Sequence, residues 1–486
     1  MNYPNVYING EWIAAKSTFK SMNPSTGEVF AEVADADINL TKKAIEAAKN
    51  ASKKWAETRH FVRAKMLNKV ADIIERRMAD IVNMLMDETG AWIGIAKFQA
   101  VGNPDFWRAG AALAYQVNGE ILPSDYGKVS LVTREPLGVV TVITPWNVPL
   151  LLAARTCAGI LAVGNTVVLK PSEESPVSGG LFLAEVFEEA GVPPGVFNVI
   201  TCSRENVVEV GDEIVVNPAV KAVCFTGSAL IGKMIGAKCG QHLKKSSLEL
   251  GGKDALIVMD DADMNKAVES ATFGAFMHQG QICMGTRRVF VDKKVADEFR
   301  TRFIKNVNSL GSGDVKAMNK PIGPLINQKQ LEKMIAQVED AKSKGATILT
   351  GGNHKDLFFE PTVIEGVTKN MDVFEKETFG PITTLFTYDS IEEALEKVNE
   401  IDSGLSAAII TQNEEKGLEL ARKIESGMCH INCNTINDEP HAPFGGAKNS
   451  GLGRYGGNAT IEAFTTTRWL TIEKGGRAFP PPFKEK

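Results

Sequence analysis

Val139-Val140-Thr141-Val142-Ile143-Thr144 is a continuous apolar strand, and it opens a region where strands and helices alternate. A helix is predicted from there to about Leu161, then a strand at Thr166-Val167-Val168-Leu169-Lys170 and a helix near Gly180 to Glu189. Val196 to Ile200 supplies a third strand, Ala222 to Thr226 a fourth, Ile231 to Lys238 a helix, and Ser247-Leu248-Glu249-Leu250 a further strand. Strands that are apolar at successive positions are buried on both faces, and intervening helices make the crossovers that parallel pairing needs. The region predicts a parallel, doubly wound α/β sheet.

The alternation resumes downstream, with strands at Ala255 to Met259, Val289 to Val291, Ile382 to Phe386 and Ala407 to Ile410. Helices are expected at Met264 to Phe276, Ile391 to Val398 and Glu414 to Ile424, which makes a second α/β unit. Gly251-Gly252 is the natural hinge between the two. Upstream, Tyr7-Ile8-Asn9-Gly10-Glu11-Trp12 starts as strand and turn, and two helices are predicted, Leu40 to Trp55 and Ala64 to Glu88. Lys128 to Arg134 alternates as a strand through Val129, Leu131 and Thr133.

With 486 residues, the chain is long enough for two or three cores. A net charge of −5, spread rather than blocked, gives no basic field for nucleic acid. The N-terminus lacks the basic and apolar regions of a signal peptide, and the longest apolar candidate, Val148 to Val163, is broken by Arg155. Seven cysteines and six histidines are scattered, without paired CxxC or HExxH motifs. The expectation is a reduced cytoplasmic protein with neither a structural metal nor a membrane or nucleic-acid partner.

A formal GxGxxG occurs at Gly451 to Gly456, but it neither follows a long strand nor begins a βαβ unit, so it is set aside. Two strand ends are better cofactor candidates. Phe225-Thr226-Gly227-Ser228 ends a strand and opens a helix, where free N–H groups receive phosphate. Lys170-Pro171-Ser172-Glu173 sits at another carboxyl end, where a Lys and a carboxylate can grip ribose hydroxyls. Either motif alone reads equally well as a turn with a helix cap; together they favour a dinucleotide.

Gln279-Gly280-Gln281-Ile282-Cys283 places a thiol on a Gly-containing loop beyond the Met264 to Phe276 helix. A cysteine taken alone is more often a buried core residue than a nucleophile. Glu249, at a strand end, is a candidate base or one half of a buried ion pair. The amide of Asn147, in Pro145-Trp146-Asn147, is placed to stabilise an oxyanion with the Cys283 N–H.

These stretches, with Glu249-Leu250-Gly251-Gly252-Lys253, Glu377-Thr378-Phe379-Gly380-Pro381 and Pro443-Phe444-Gly445-Gly446, resemble the NAD(P)-dependent aldehyde dehydrogenase superfamily from about Tyr7 to Thr471. Seven motifs in order, with 34 residues from Glu249 to Cys283, make the resemblance specific. It implies that Cys283 attacks the aldehyde, that Asn147 and the Cys283 N–H hold the oxyanion, and that Glu249 activates water on the resulting thioester. It further implies a cofactor site of Thr144, Pro145, Trp146, Lys170, Ser172, Glu173, Gly227, Ser228, Leu250, Glu377 and Phe379. A carboxylate at Glu173 favours NAD, with NADP allowed.

The implied architecture is a Rossmann-type cofactor domain (residues 1–119 and 138–250), an α/β catalytic domain (251–450) and a β oligomerisation arm (120–137 and 463–486), assembled as a homodimer or homotetramer. Val148, Arg155-Thr156, Met284 and Asn434 to Pro440 most resemble the branch acting on benzaldehyde, salicylaldehyde or vanillin. Ile95, Phe98, Phe276, Ile282, Met284 and Phe444 are candidates for an apolar slot, though each taken singly reads first as a core residue. Arg155 is the candidate partner of a substrate carboxylate, as an enzyme for a semialdehyde would need. Thr201-Cys202-Ser203-Arg204 departs from the family's Gly-rich turn. The alternatives are a semialdehyde or aliphatic aldehyde dehydrogenase, a coenzyme-A-acylating member, and a non-catalytic protein on the same fold.

Overall fold

In a computed structural model describing residues 1–125, 127–476 and 478–484, the strand Val139–Ile143 lies in the middle of an eight-stranded sheet. It pairs in parallel with Thr166–Lys170 on one side and Val220–Thr226 on the other. Beyond Thr166–Lys170 come Phe197–Val199 and the N-terminal hairpin Asn5–Ile8 and Glu11–Ala14. The hairpin turn is Asn9-Gly10, both at positive φ (57° and 78°), as a two-residue connection of this twist requires. On the other side, Lys245–Glu249 pairs in parallel with Val220–Thr226 and is edged by the antiparallel Gly451–Leu452. The formal GxGxxG is thus an edge strand beside Glu249, not a phosphate-binding turn.

Successive crossovers leave Val139–Ile143 in opposite directions, so the strand order switches between it and Val220–Thr226. In an open α/β sheet that is where ligands gather, outside the carboxyl ends. Those ends are Thr144-Pro145-Trp146 and Gly227-Ser228.

After Glu249 the chain passes through Gly251-Gly252 into a seven-stranded sheet. There Asp254–Val258 pairs in parallel with Thr286–Asp292 and Ser406–Ile410. Ile382–Tyr388, Thr362–Glu365 and Met428–Ile431 extend it in parallel, and Thr347–Thr350 closes one edge antiparallel. Cys283 precedes Thr286–Asp292, so the amino edge of this sheet faces the carboxyl edge of the first.

Several predicted helices differ from the observed ones. The run expected from Ala64 to Glu88 is two helices, His60–Arg76 and Met78–Thr89, broken at Arg77. The Arg77 guanidinium there pairs with Glu185 at 2.9 Å and lies 4.5 Å from the Phe182 ring. The helix expected near Gly180 starts earlier, as a wide turn over Val177–Leu181, because the buried Glu88 carboxylate accepts the N–H groups of Val177 and Ser178 at 2.9 and 2.7 Å. Ile93–Leu113 is a long helix, with Pro104 inside it, that the sequence pattern did not disclose.

Lys128–Pro136 pairs antiparallel with Thr465–Glu473 along its whole length, and Glu120–Leu122 adds a third strand. Opposed residues share a face, so Ile121, Leu131 and Leu470 lie in one row, with Val129 and Ile472 in the next row of that face. Ile121 is 79% exposed, Leu470 41% and Ile472 56%. Residues 126, 477, 485 and 486 of the expected arm lie outside the described residues. No helix among the described residues is long and apolar enough to cross a membrane.

Candidate active site

The helix Met264–Phe276, capped by the Asp263 carboxylate at Asn265 N, ends where three residues in succession turn left-handed: His278 (φ 52°), Gln279 (φ 53°) and Gly280 (φ 67°). Two of these are not glycine, a conformation that persists only when its surroundings enforce it. They do. The Gln279 amide donates to the carbonyls of Gly90 and Pro324 at 3.2 and 2.8 Å. Gln281 Oε1 accepts from Ile326 N at 3.0 Å. The buried Arg287 guanidinium donates to the carbonyls of Gly280, Ala275 and Gly380. A Cβ on Gly280 would stand 2.2 Å from the Gly380 oxygen.

The loop presents Cys283 at a cleft of about 330 Å³. Cys157, Cys202, Cys224 and Cys239 are buried, whereas Cys283 is partly exposed. Asn147 shares the cleft, and its amide donates to Gln281 O at 2.8 Å. The backbone carbonyl of Asn147 accepts from His278 Nε2 at 2.7 Å. Burial lowers the pKa of His278 to about 4, so its ring is neutral.

Glu249 is buried, and its Oε1 has no hydrogen-bond partner among the described residues. Burial raises its pKa to about 8, against the opposing charges of Arg155 and Arg454. Burial also pushes the Cys283 thiol up, and the charges of Glu249, Asp254 and Glu377 add to that. Just after Glu249 in the chain, Gly251 and Gly252 leave no room for side chains. A Cβ at Gly251 would lie 2.4 Å from the Glu377 carboxylate, and one at Gly252 would lie 2.7 Å from the Cys283 carbonyl.

The cofactor candidates meet along the carboxyl edge of the first sheet. Thr144 N donates to Lys170 O at 3.2 Å, and the buried Thr144 hydroxyl is unpartnered. Gly227 N is taken by Glu249 O, and Ser228 caps the helix Ala229–Gln241. Leu250 N donates to Ser450 O at 2.9 Å. Lys170 Nζ lies 4.0 Å from Glu173 Oε2, and Ser172 Oγ is 3.4 Å from the same oxygen. Burial would raise Glu173, but Lys170 and Arg204 outweigh it and hold the carboxyl below its usual range. Across the crevice, Trp146 and Phe379 stand edge to face at 5.3 Å. Phe379 has a positive φ of 56°, and its carbonyl accepts from Gln330 at 2.6 Å. Glu377 adjoins the buried Lys253, whose ammonium donates to Thr378 Oγ1 at 2.8 Å.

Of the seven residues expected at the substrate pocket, Ile95, Phe98, Ile282, Met284 and Phe444 line the cleft. Two do not. Phe276 turns into the core of the second unit beside Phe303, and Phe273, one turn earlier, lines the wall instead. Arg155 is buried, ion-paired to Asp438, and has its guanidinium carbon 4.0 Å from the Phe444 ring centre. Its charge is spent inside the protein, so it does not face the cleft as a free partner for a substrate carboxylate.

The sequence reading missed Leu151, Leu152 and Phe106 on the walls. Ile95, Phe98, Gly102 and Asp105 share one stripe of the undisclosed helix, and their spacing was the available signal.

The apolar cleft is lined by the Cys283 thiol, and the carboxyl edge of the first sheet carries the cofactor candidates and the buried Glu249. A model of the aldehyde dehydrogenase family matches residues 12–470, and the chain belongs to that family. It is 40% identical to a vanillin dehydrogenase of Pseudomonas fluorescens, over 97% of this chain and 98% of that one. It is 39% identical to a benzaldehyde dehydrogenase [NAD(+)] of Pseudomonas putida, over 97% of each chain. The fold superposes on a salicylaldehyde dehydrogenase from Pseudomonas putida G7, solved with salicylaldehyde, with a TM-score of 0.96 at 37% identity, covering 99% of this chain and 100% of that one.

Proposed function

We propose that the protein oxidises an aromatic aldehyde to its carboxylic acid, with NAD as the preferred hydride acceptor and NADP allowed. The observation that carries this reading is the cleft itself. Cys283 and Asn147 stand among Phe98, Phe106, Leu152, Phe273, Met284 and Phe444, and no Lys or Arg is among the described residues that line it. Flat apolar rings are stabilised by such walls, and no cation is offered to the carboxylate of a semialdehyde. The relatives' substrates support the same class.

In this reading, the Cys283 thiol loses its proton to solvent as the sulfur bonds to the aldehyde carbon, and the carbonyl electron pair moves to oxygen. The Asn147 amide, held by Gln281 O, and the Cys283 N–H stabilise the oxyanion. NAD held in the crevice would supply the hydride acceptor, and loss of hydride from that carbon would leave Cys283 carrying the thioester. Glu249 then removes a proton from water, which attacks the thioester and releases the acid and the thiol.

The site fits such a cofactor. Thr144 offers an unpartnered hydroxyl, the helix Ala229–Gln241 offers its N-terminus just beyond Gly227 and Ser228, and Lys170 and Glu173 flank the neighbouring strand end. Trp146 and Phe379 bound the crevice, and Glu377 adjoins Gly251. We assign residues 1–119 and 138–250 to cofactor binding, 251–450 to catalysis, and the three-stranded sheet to assembly as a dimer or tetramer.

The test is turnover with NAD against benzaldehyde, vanillin, salicylaldehyde, succinic semialdehyde and acetaldehyde, followed by the absorbance of the reduced cofactor. The aromatic aldehydes are expected to give the highest kcat/KM. Preference for the semialdehyde would overturn the substrate class, and silence with every aldehyde would overturn the function.

A further inference from the structure

Asn147 is clamped at two points by a single turn of the loop that carries Cys283. Gln281 N donates to His278 O at 2.9 Å, which closes the turn over His278 to Gln281. From one end of it, His278 Nε2 donates to the backbone carbonyl of Asn147 at 2.7 Å. At the other end, the Gln281 carbonyl accepts from the Asn147 side-chain amide at 2.8 Å. Three hydrogen bonds thus form a closed ring, and all three residues are buried.

A carbonyl oxygen only accepts, so the hydrogen of the neutral His278 ring is on Nε2. Nδ1 is then a bare acceptor, with no partner among the described residues. The Asn147 carbonyl lies before the helix Pro149–Ala162, in which Leu152 N donates to Val148 O, and its donor among the described residues is His278. His278 is held at a positive φ of 52°, a region that His enters more readily than branched or bulky residues. The strained backbone turns the ring back toward Asn147, five residues ahead of the nucleophile.

We propose that His278 is a positioning residue for the oxyanion site, holding the main chain of Asn147 so that its amide aims the second hydrogen at the substrate oxygen. The inference rests on the reading above, in which Asn147 stabilises the oxyanion beside Cys283. The bond to Gln281 O fixes where one amide hydrogen points, but not the backbone from which the side chain springs. The bond from His278 fixes that backbone at its carbonyl. Both ties come from the loop that carries Cys283, so donor and nucleophile share one frame and move together. Such a frame matters because an oxyanion donor acts only when it is held within about 0.5 Å of its productive place before the charge develops. A tie that served folding alone would lower stability and leave the aim of the amide untouched.

A double-mutant cycle on His278 and Asn147, read by steady-state kinetics with NAD and the aldehyde of highest turnover, tests this. His278→Phe keeps a ring and removes the donor. It is expected to lower kcat by about tenfold to a hundredfold, with KM within about threefold of the parent. His278→Gln returns an amide hydrogen near the place of Nε2 and should restore most of that loss. In an Asn147→Ala background no amide is left to aim, and His278→Phe should change kcat by less than about threefold. Equal losses in the two backgrounds would overturn the proposal, and so would a loss confined to KM or a Gln variant as slow as the Phe variant. His278→Ala, compared in the same way, replaces a Phe variant that does not fold. A parent silent with every aldehyde, or an Asn147→Ala variant at parental kcat, would overturn the reading beneath the proposal as well.

Discussion

The side-chain amide of Asn147 donates to the carbonyl of Gln281 at 2.8 Å, joining the first sheet's strand end to the loop that carries Cys283. An amide nitrogen has two hydrogens, and this bond uses one, which orients the other without consuming it. Asn147→Ala removes both an oxyanion donor and a tie to the nucleophile loop. Loss of one such donor costs roughly a hundredfold to a thousandfold in kcat. Steady-state kinetics on the best aldehyde should show that fall in kcat with a much smaller change in KM. An equal loss confined to KM would remove Asn147 from the transition state.

Glu249 must be ionised to take a proton from water, and burial has raised its pKa to about 8. A raised folded pKa means the base form is gained only as pH rises through that value, so hydrolysis of the thioester is expected to climb through about pH 8. Glu249→Gln should lower steady-state turnover by about a hundredfold to ten-thousandfold. It should still release a single burst of reduced cofactor in rapid mixing, because formation of the thioester does not use the carboxylate. A variant that keeps full turnover, or the same rise with pH, would place the base elsewhere.

The parallel, doubly wound character of the first sheet was legible because Val139 to Thr144 and its successors are apolar without alternation, as strands covered on both faces are. The meeting of Cys283 and Asn147 at one cleft was legible only through motif resemblance, since two residues 136 positions apart converge by topology and not by periodicity. Side-chain direction was the weak point. Phe273 and Phe276 lie on the same helix, one turn apart, and nothing local says which of them meets the cleft and which the Phe303 core. Arg155 looked available because its partner, Asp438, is 283 positions away on another element. Ile93–Leu113 was obscured by Gly94, Gly102, Pro104 and Gly110, all of which interrupt helical pattern.

Gly280 is the left-handed residue closest to the nucleophile, at φ 67°. Gly280→Ala places a methyl 2.2 Å from the Gly380 carbonyl oxygen, a backbone atom that has no rotamer to escape through. Strain and displacement together are expected to cost about 1–3 kcal/mol or more of stability. Because the same carbonyl is held by Arg287 at 2.8 Å, the loop should shift and turnover should fall well beyond what the lower Tm explains. Thermal unfolding and kinetics on the same sample check both, and a variant with parental Tm and kcat would show that the loop tolerates the side chain.

The sheet of Glu120–Leu122, Lys128–Pro136 and Thr465–Glu473 carries Ile121, Leu470 and Ile472 on one exposed face. Leaving this contiguous apolar surface in water is unfavourable, and a second copy of the chain covers it in the assembly proposed above. Leu470→Lys with Ile472→Lys removes two side chains from that contact while leaving the internal bond from Trp469 Nε1 to Ser130 Oγ, 2.9 Å, intact. Each large aliphatic side chain contributes about 1.5–3 kcal/mol when fully buried, so association should weaken by roughly a hundredfold or more. Light scattering after gel filtration is expected to report a multiple of 52.6 kDa for the parent and a shift toward that monomer mass for the variant. A parent already at the monomer mass would refute the assembly, and a variant that stays oligomeric would move the interface to another surface.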